Sequence, residues 1–376
     1  MTAGDTPTNG ECSAEELPDE AWLAALLALS GMGPKRLTAL LEIGSPKDVW
    51  ETLQTSRPVC LEDVRHDQVT TWRSEARAAS VEDLWRRSLD LGQWTYAKGH
   101  REYPNRLRDD IEPPDLLFGL GARIGRQPTV GIVGTRNCTS YGKRCAFEFG
   151  AALASAGVSV VSGLALGIDT AAHQGVLSVK AETAAPPIGV VGSGLDVVYP
   201  KRNTKLWADV ATHGTLLSET APGQSPTKWR FPARNRIIAA LSDAVIVIES
   251  HDKGGSLSTV DSAQARDIPV GAVPGPITSN SSAGTNQLLA DGATPVLSVD
   301  DILCMIGHVA PQQLVLEHGE DETASGVLDA LGWNPQLFEE LCNRVALEPS
   351  VLAAEVERLV GAGLLVRTGP WIERTR

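Results

Sequence analysis

Between residues 129 and 273 the chain repeats one rhythm: a short run of Val and Ile, a turn rich in Gly and small hydroxyl residues, then a helical stretch. The runs are nearly continuous in apolar residues rather than alternating, which a strand tolerates only when both of its faces are covered. Strands are read at Thr129–Val133, Val158–Ser162, Ile188–Gly192, Thr215–Ser218, Asp243–Glu249 and Ile268–Val273, with helices such as Tyr141–Ser155 and Arg234–Leu241 between them. That alternation specifies an α/β fold, a Rossmann-like, doubly wound, mostly parallel sheet. Loops leaving the carboxyl ends of such strands converge on one crevice. Three of them, 131–136, 162–169 and 192–195, hold the glycines, and bare backbone N–H groups and helix N-termini favour phosphate there.

Charge is distributed to the same effect. The formal net charge is −13, which argues against indiscriminate coating of nucleic acid. Residues 126–236 nevertheless hold twelve Lys or Arg against six Asp or Glu, whereas residues 237–300 hold two against seven. Positive charge is thus focused beside the glycine turns. Six scattered cysteines with no C-x-x-C pair suggest neither a disulfide framework nor a zinc site, and no metal or cofactor is expected. The absence of a long apolar run or a signal-peptide pattern points to the cytoplasm.

The flanks differ in kind. Residues 1–18 lack apolar periodicity and read as a disordered acidic leader. Residues 19–91 read as an all-α domain, SAM-like or helix-hairpin-helix-like, in which Gly31-Met-Gly-Pro-Lys-Arg36 joins two short helices. Such a turn either presents N–H groups to a DNA phosphate or merely connects packed helices. Residues 92–128, with Tyr103-Pro104 and Glu112-Pro-Pro-Asp115, read as a connecting segment, followed by the Rossmann-like domain at 129–306. A linker at 307–322 leads to three helices and a hairpin at 323–376, a winged helix. Its third helix offers Glu355 and Glu357 with Arg358, so a protein-contact or structural role is favoured over groove reading.

The turns fail the common nucleotide fingerprints. Gly192-Ser-Gly194 lacks the third glycine of a dinucleotide site, and Gly142-Lys143 lacks both the first glycine and the following hydroxyl of a P-loop. Gly254-Gly-Ser-Leu-Ser-Thr259 faintly resembles the turn of lysine-decarboxylase-like nucleotide hydrolases but is followed by Val260 and Asp261, not Glu. A hydrolase or nucleotide sensor of that type is the alternative reading; a duplex-reading transcription regulator is a third. Asp169 and His173, four apart on a helix, are either an acid–base pair or a brace for the helix start. No catalytic residue is assigned.

Gly134-Thr-Arg136, Ser140-Tyr-Gly142, Ser162-Gly-Leu-Ala-Leu-Gly-Ile-Asp169 with Ala172-His173, Tyr199-Pro200, Ser218-Glu219, Phe231-Pro232, Arg234-Asn-Arg236, Gly255-Ser-Leu257, Thr259 and Val273-Pro-Gly275 form one colinear series. On these residues the chain resembles the DNA-processing protein A (DprA/Smf) family, with Leu166 where many relatives carry Arg. The resemblance implies a single-stranded DNA-binding recombination mediator that forms homodimers and helps load the RecA recombinase in natural transformation, without catalysis.

Arg136, just after a strand end, is placed to take a phosphate bidentately, the other possibility being a salt bridge that braces the turn. Lys201 and Lys228 extend the basic track, and by resemblance Lys228 and Phe231 are the phosphate and base contacts. Phe231 would stack on an unpaired base or else pack on Pro232. Of Arg234 and Arg236, which flank Asn235, one is expected to face phosphate and the other an internal carboxylate such as Glu219 or Glu249. Gly134, Thr135, Ser140, Tyr141 and Gly142 belong to the first signature. Gly163, Gly167 and Gly255 serve close backbone approach or positive φ, with Ser162, Ser256 and Thr259 as hydroxyl donors or caps.

Overall fold

Burying an apolar run on both faces requires helices above and below it, and the computed structural model supplies them. It describes residues 17–308, save 56, 60, 62 and 63, and residues 322–374, save 332–335, 346, 362 and 370. Nearly all of the leader at 1–18 and of the linker at 307–322 therefore lies outside the described residues. The chain divides into two compact units, Met1–Ala310 and Pro311–Arg376.

The first unit opens with helices α1 (Asp19–Ala28), α2 (Pro34–Leu41), α3 (Pro46–Gln54), α4 (His66–Ala78) and α5 (Val81–Asp90). Ser45 and Asp48 form a reciprocal cap at the start of α3, with Pro46 in the first turn. Trp50 and Trp72 are fully buried with Met32 and Leu37. These helices do not close a core of their own: the same cluster takes in Leu116, Phe118, Leu206, Trp207 and Leu216 from the sheet side.

Strands β1 (Trp94–Ala97) and β2 (Leu116–Gly121), with the short helix α6 (Asn105–Arg108) between them, form where turn formers predicted only a connection. Then follow β3 (Thr129–Val133), α7 (Ser140–Ser155), β4 (Ser159–Ser162), α8 (Ile168–Ser178), β5 (Ile188–Val190), α9 (Thr204–His213) and β6 (Thr215–Ser218). After them come α10 (Arg230–Ala240), β7 (Ala244–Val247), α11 (Leu257–Gln264), β8 (Val270–Ala272), α12 (Ala283–Ala290), β9 (Thr294–Pro295) and α13 (Val299–Met305). The nine strands make one sheet in the order β1-β2-β6-β5-β4-β3-β7-β8-β9. β1 and β2 run antiparallel at one margin, and every pair from β6 to β9 is parallel.

Alternate side chains of the same strand go to opposite faces. Val130, Ile132, Val160 and Ile246 pack under α7 and α8, while Val161, Val245 and Val247 pack under α10 and α11. The chain lays β4, β5 and β6 on one side of β3 and then β7, β8 and β9 on the other. The gap opened by this reversal lies beyond the carboxyl ends of β3 and β7, the usual ligand position in such a sheet.

The second unit holds α14 (Glu322–Leu331), β10 (Gln336–Leu337), α15 (Phe338–Arg344), α16 (Pro349–Gly361), β11 (Leu365–Thr368) and β12 (Trp371–Arg374). Its strands form an antiparallel sheet in the order β10-β12-β11. Leu341, Leu352, Val356, Leu359 and Ile372 are buried between them. On α16, Arg358 is bonded to Glu355 at 2.6 Å.

Candidate nucleic-acid interface

A cleft of about 490 Å3 occupies the reversal point, lined by Thr135 and Arg136 after β3, Ala165 after β4, Phe231 and Arg234 on α10, and Lys253 to Ser256 after β7. A smaller hollow of about 60 Å3 shares Arg136, Ala165, Phe231 and Arg234 and adds Gly163, Gly192 and Tyr199. The shared residues make the two one depression.

Its wall is a cation and two rings. The Arg136 guanidinium carbon lies 5.0 Å from the centroid of Phe231, and Tyr199 lies 5.8 Å from Phe231 on a tilted axis. A contact of the first kind contributes about 0.5–2 kcal/mol. Arg136 is exposed, and apart from that ring it has no hydrogen bond or ion pair with the described residues. The salt-bridge alternative is therefore not the one seen here. Phe231 is half-buried between Arg136 and Tyr199, and Tyr199 is 42% exposed.

The other arginines of the series are interior. Arg234 and Arg236 lie in the middle of α10 and not at its start, and both are buried. Arg234 donates to the carbonyls of Gly163, at 2.7 Å, and of Val190, and to Asn235 Oδ1 at 3.0 Å. Burial draws its pKa down to about 10, partly offset by the charge of Asp169. Gly163 has no side chain because there is no room: a Cβ there would sit 2.4 Å from Arg234 Nη1. Arg236 donates to Glu219 in a buried ion pair and to the Glu112 carbonyl at 2.5 Å. Neither arginine is free to clamp a phosphate, and together they hold α10 against the sheet. Asn235 continues this bracing by donating to Ser258 at 2.7 Å and to the Gly255 carbonyl at 3.4 Å.

The turn amides are also engaged. Glu249 is buried at the end of β7 and accepts from Thr139 N at 2.8 Å and from the Thr139 hydroxyl, while that hydroxyl caps Gly142 N at 3.2 Å. The start of α7 thus faces a carboxylate of the protein itself. Gly142 is where Glu249 packs, since a Cβ there would be 2.4 Å from its carboxyl carbon. Asp169 accepts from Gly163 N at 3.1 Å and Ala165 N at 3.3 Å. Burial raises its pKa, opposed first by Arg234. Gly167 has φ +83, and a Cβ there would sit 2.3 Å from the Thr135 carbonyl oxygen, so any side chain is excluded.

Several expected contacts therefore point inward. Ser162 is fully buried and donates to the Ile132 carbonyl at 2.6 Å, Ser256 to Ser250 at 2.9 Å, and Thr259 is buried. Tyr141 donates to the Pro274 carbonyl at 3.1 Å, away from the cleft lining, and Ser140 is exposed in the first turn of α7. Gly134 abuts Ile168 and the Glu249 carbonyl, whereas Gly255 is open, with nothing near its missing side chain. Lys201 and Lys228 are exposed: Lys201 follows the Tyr199–Pro200 wall, and Lys228 precedes α10. Tyr199 and Lys253 were not assigned from the sequence; their signals were a ring beside a basic pair and a cation directly before Gly254-Gly255.

Asp169 and His173 do not form a pair. His173 is fully buried, its Nε2 lies 3.2 Å from the Ile188 carbonyl, and burial lowers its pKa to about 4. Asp169 braces the turn that starts α8, while His173 is packed against the Ile188 carbonyl and takes no part in that brace.

Residues 94–307 match the family model described as DNA recombination-mediator protein A. Over 264 residues the chain is 37% identical to a Mycobacterium tuberculosis protein carrying the DNA processing protein DprA name, covering 69% of this chain and 64% of that one. Over 315 residues it is 32% identical to protein Smf of Synechocystis, covering 81% of this chain and 76% of that one. The chain thus spans a little under two thirds of the mycobacterial relative's length. It is also similar to the X-ray structure of DNA processing protein A from Streptococcus pneumoniae, with TM-score 0.62 and 30% identity, covering 76% of this chain and 97% of that one.

Proposed function

This chain belongs to the DNA recombination-mediator protein A family, and we propose that it binds single-stranded DNA in the depression beyond β3 and β7 and acts as a recombination mediator without catalysing a reaction. The observation that carries the reading is the Arg136–Phe231–Tyr199 wall. Its cation has no carboxylate partner among the described residues and can meet a phosphate, while the rings beside it can meet an unpaired base. Duplex DNA hides its bases and would have to unstack to use them. Lys253 and the open Gly255 face the same cleft from across β7. The engagement of Asp169 and the burial of His173 support binding over chemistry.

From the resemblance, the reading extends to homodimers and to loading of RecA on the captured strand during natural transformation, and from the sequence pattern it extends to the cytoplasm. In the same reading, residues 19–91 are a SAM-like or helix-hairpin-helix-like module, and 323–376 are a winged helix with a protein-contact or structural role. Among the described residues no helix is long and apolar enough to cross a membrane.

The test is a competition titration of labelled oligothymidylate against an unlabelled single strand and a matched duplex. The single strand is expected to displace the label at far lower concentration. Equal competition by the duplex would defeat the reading.

A further inference from the structure

On the side of α10 away from the cleft lies a wider groove, about 870 Å3, between α2 and the 111–115 segment. Pro232 lines both the groove and the cleft, so the two hollows meet at one residue. The floor of the groove includes Trp229, which is 41% exposed although it packs against the turn before α2. A Cβ on Gly33 would stand 3.1 Å from the indole, and the Arg230 guanidinium carbon lies 5.2 Å from the ring centroid. The start of α10 therefore presents two rings two residues apart, Trp229 toward the groove and Phe231, beside Arg136, toward the cleft, while Arg230 is buried and donates to the Ser225 carbonyl at 2.7 Å. The Gly31–Gly33 turn, which could have offered its amides to DNA, instead backs this indole, and Arg36 is tied to the Gly31 carbonyl at 2.7 Å.

We infer that a bound single strand continues past Phe231, over Pro232 and into this groove, where Trp229 is a second base-stacking platform. The inference rests on the reading of the cleft given above. Lys35 and Lys98 line the groove, but so do Glu42, Glu112 and Asp115, and the lining Arg236 is paired with Glu219. Coulomb attraction in the groove is therefore nearly balanced. Stacking on Trp229 has to supply the affinity there, and that increment is expected to be almost insensitive to salt.

Fluorescence anisotropy with a ladder of oligothymidylates of increasing length tests this on the full chain, wild type beside Trp229→Ala, Trp229→Phe and Arg136→Ala. Wild-type affinity is expected to climb in two stages as the strand outgrows the cleft. Trp229→Ala should bind the shortest strands like wild type and lose the second stage, about 5- to 150-fold on long strands. Its salt slope should stay unchanged, and Trp229→Phe should recover part of the loss. Arg136→Ala should weaken every length. If Trp229→Ala matches wild type at all lengths while Arg136→Ala does not, the groove seats something other than nucleic acid and the inference falls, leaving the cleft reading intact. Equal weakening of short and long strands by Trp229→Ala, unrescued by Phe, makes Trp229 a prop for α10 and equally overturns it. Should Arg136→Ala bind every length normally, the cleft reading fails first.

Discussion

Replacing Arg136 by Ala removes one exposed guanidinium that, among the described residues, holds no partner except the Phe231 ring. A hydrogen bond to a charged group contributes about 1.5–3 kcal/mol, so the dissociation constant for oligothymidylate should rise about 10- to 150-fold at low salt. The folded state loses only the contact with Phe231, about 1 kcal/mol or less at so exposed a site. Salt adds a sharper criterion. Each phosphate contact on a single strand contributes about 0.7 to the slope of log affinity against log salt. Between about 50 and about 200 mM salt the advantage of wild type over the variant should therefore shrink by about 2.6-fold. Arg136→Lys should keep the slope while losing part of the affinity, because an ammonium does not stack as a planar fork does. Anisotropy titrations at four salt concentrations measure both quantities. A variant that binds more weakly with an unchanged slope would mean that Arg136 only supports Phe231, and the assignment of a phosphate to it would be wrong.

Arg234→Ala is expected to behave oppositely. Two buried carbonyls, of Gly163 and Val190, lose their donor, and Asp169 loses its facing cation. Urea denaturation should register a loss of about 3 kcal/mol; a variant as stable as wild type that binds DNA poorly would instead make Arg234 a ligand contact. His173 sets a pH dependence. Its folded-state pKa of about 4 lies below the ordinary 6.5, so as pH falls the unfolded chain takes up the proton first. Stability from this group is complete above about pH 6.5 and is lost toward pH 4, by up to about 1.4 kcal/mol per pH unit. His173→Gln should flatten the stability-against-pH curve in that window relative to wild type, and parallel curves would count against a neutral buried imidazole.

The parallel strands were legible because their composition matches their environment: Val130 and Ile132 on one face and Val245 and Val247 on the other are as apolar as two buried faces demand. β1 and β2 were missed because Tyr103-Pro104 and Glu112-Pro-Pro interrupt the region and the strand that docks them on the main sheet is distant in sequence, with Phe118 opposite Ser218 and Gly121 opposite Thr215. At the candidate site, a sequence shows that Arg136, Arg234 and Arg236 are cationic but not which one a neighbouring carbonyl or carboxylate has already claimed. Arg234 is buried because Gly163, seventy-one residues earlier, leaves a gap of guanidinium shape. Gly163 and Gly167 are points of close approach as expected, whereas Gly255 is open and has no positive φ, and the groups approaching Gly142 and Gly163 are Glu249 and Arg234 of the protein itself.

The carboxylate that Glu249 sets at the head of α7 has a consequence for what the pocket will ignore. A lone nucleoside monophosphate seeks a prearranged ring of amides, and the amide-rich ends that could form one are already neutralised from within by Glu249 and Asp169. The remaining cleft cations, Arg136 and Lys253, stand on separate loops after β3 and β7. A polymer with many linked anions reaches several at once. Under the proposed function, free mononucleotides are therefore expected to compete poorly with a chain long enough to bridge several of these charges.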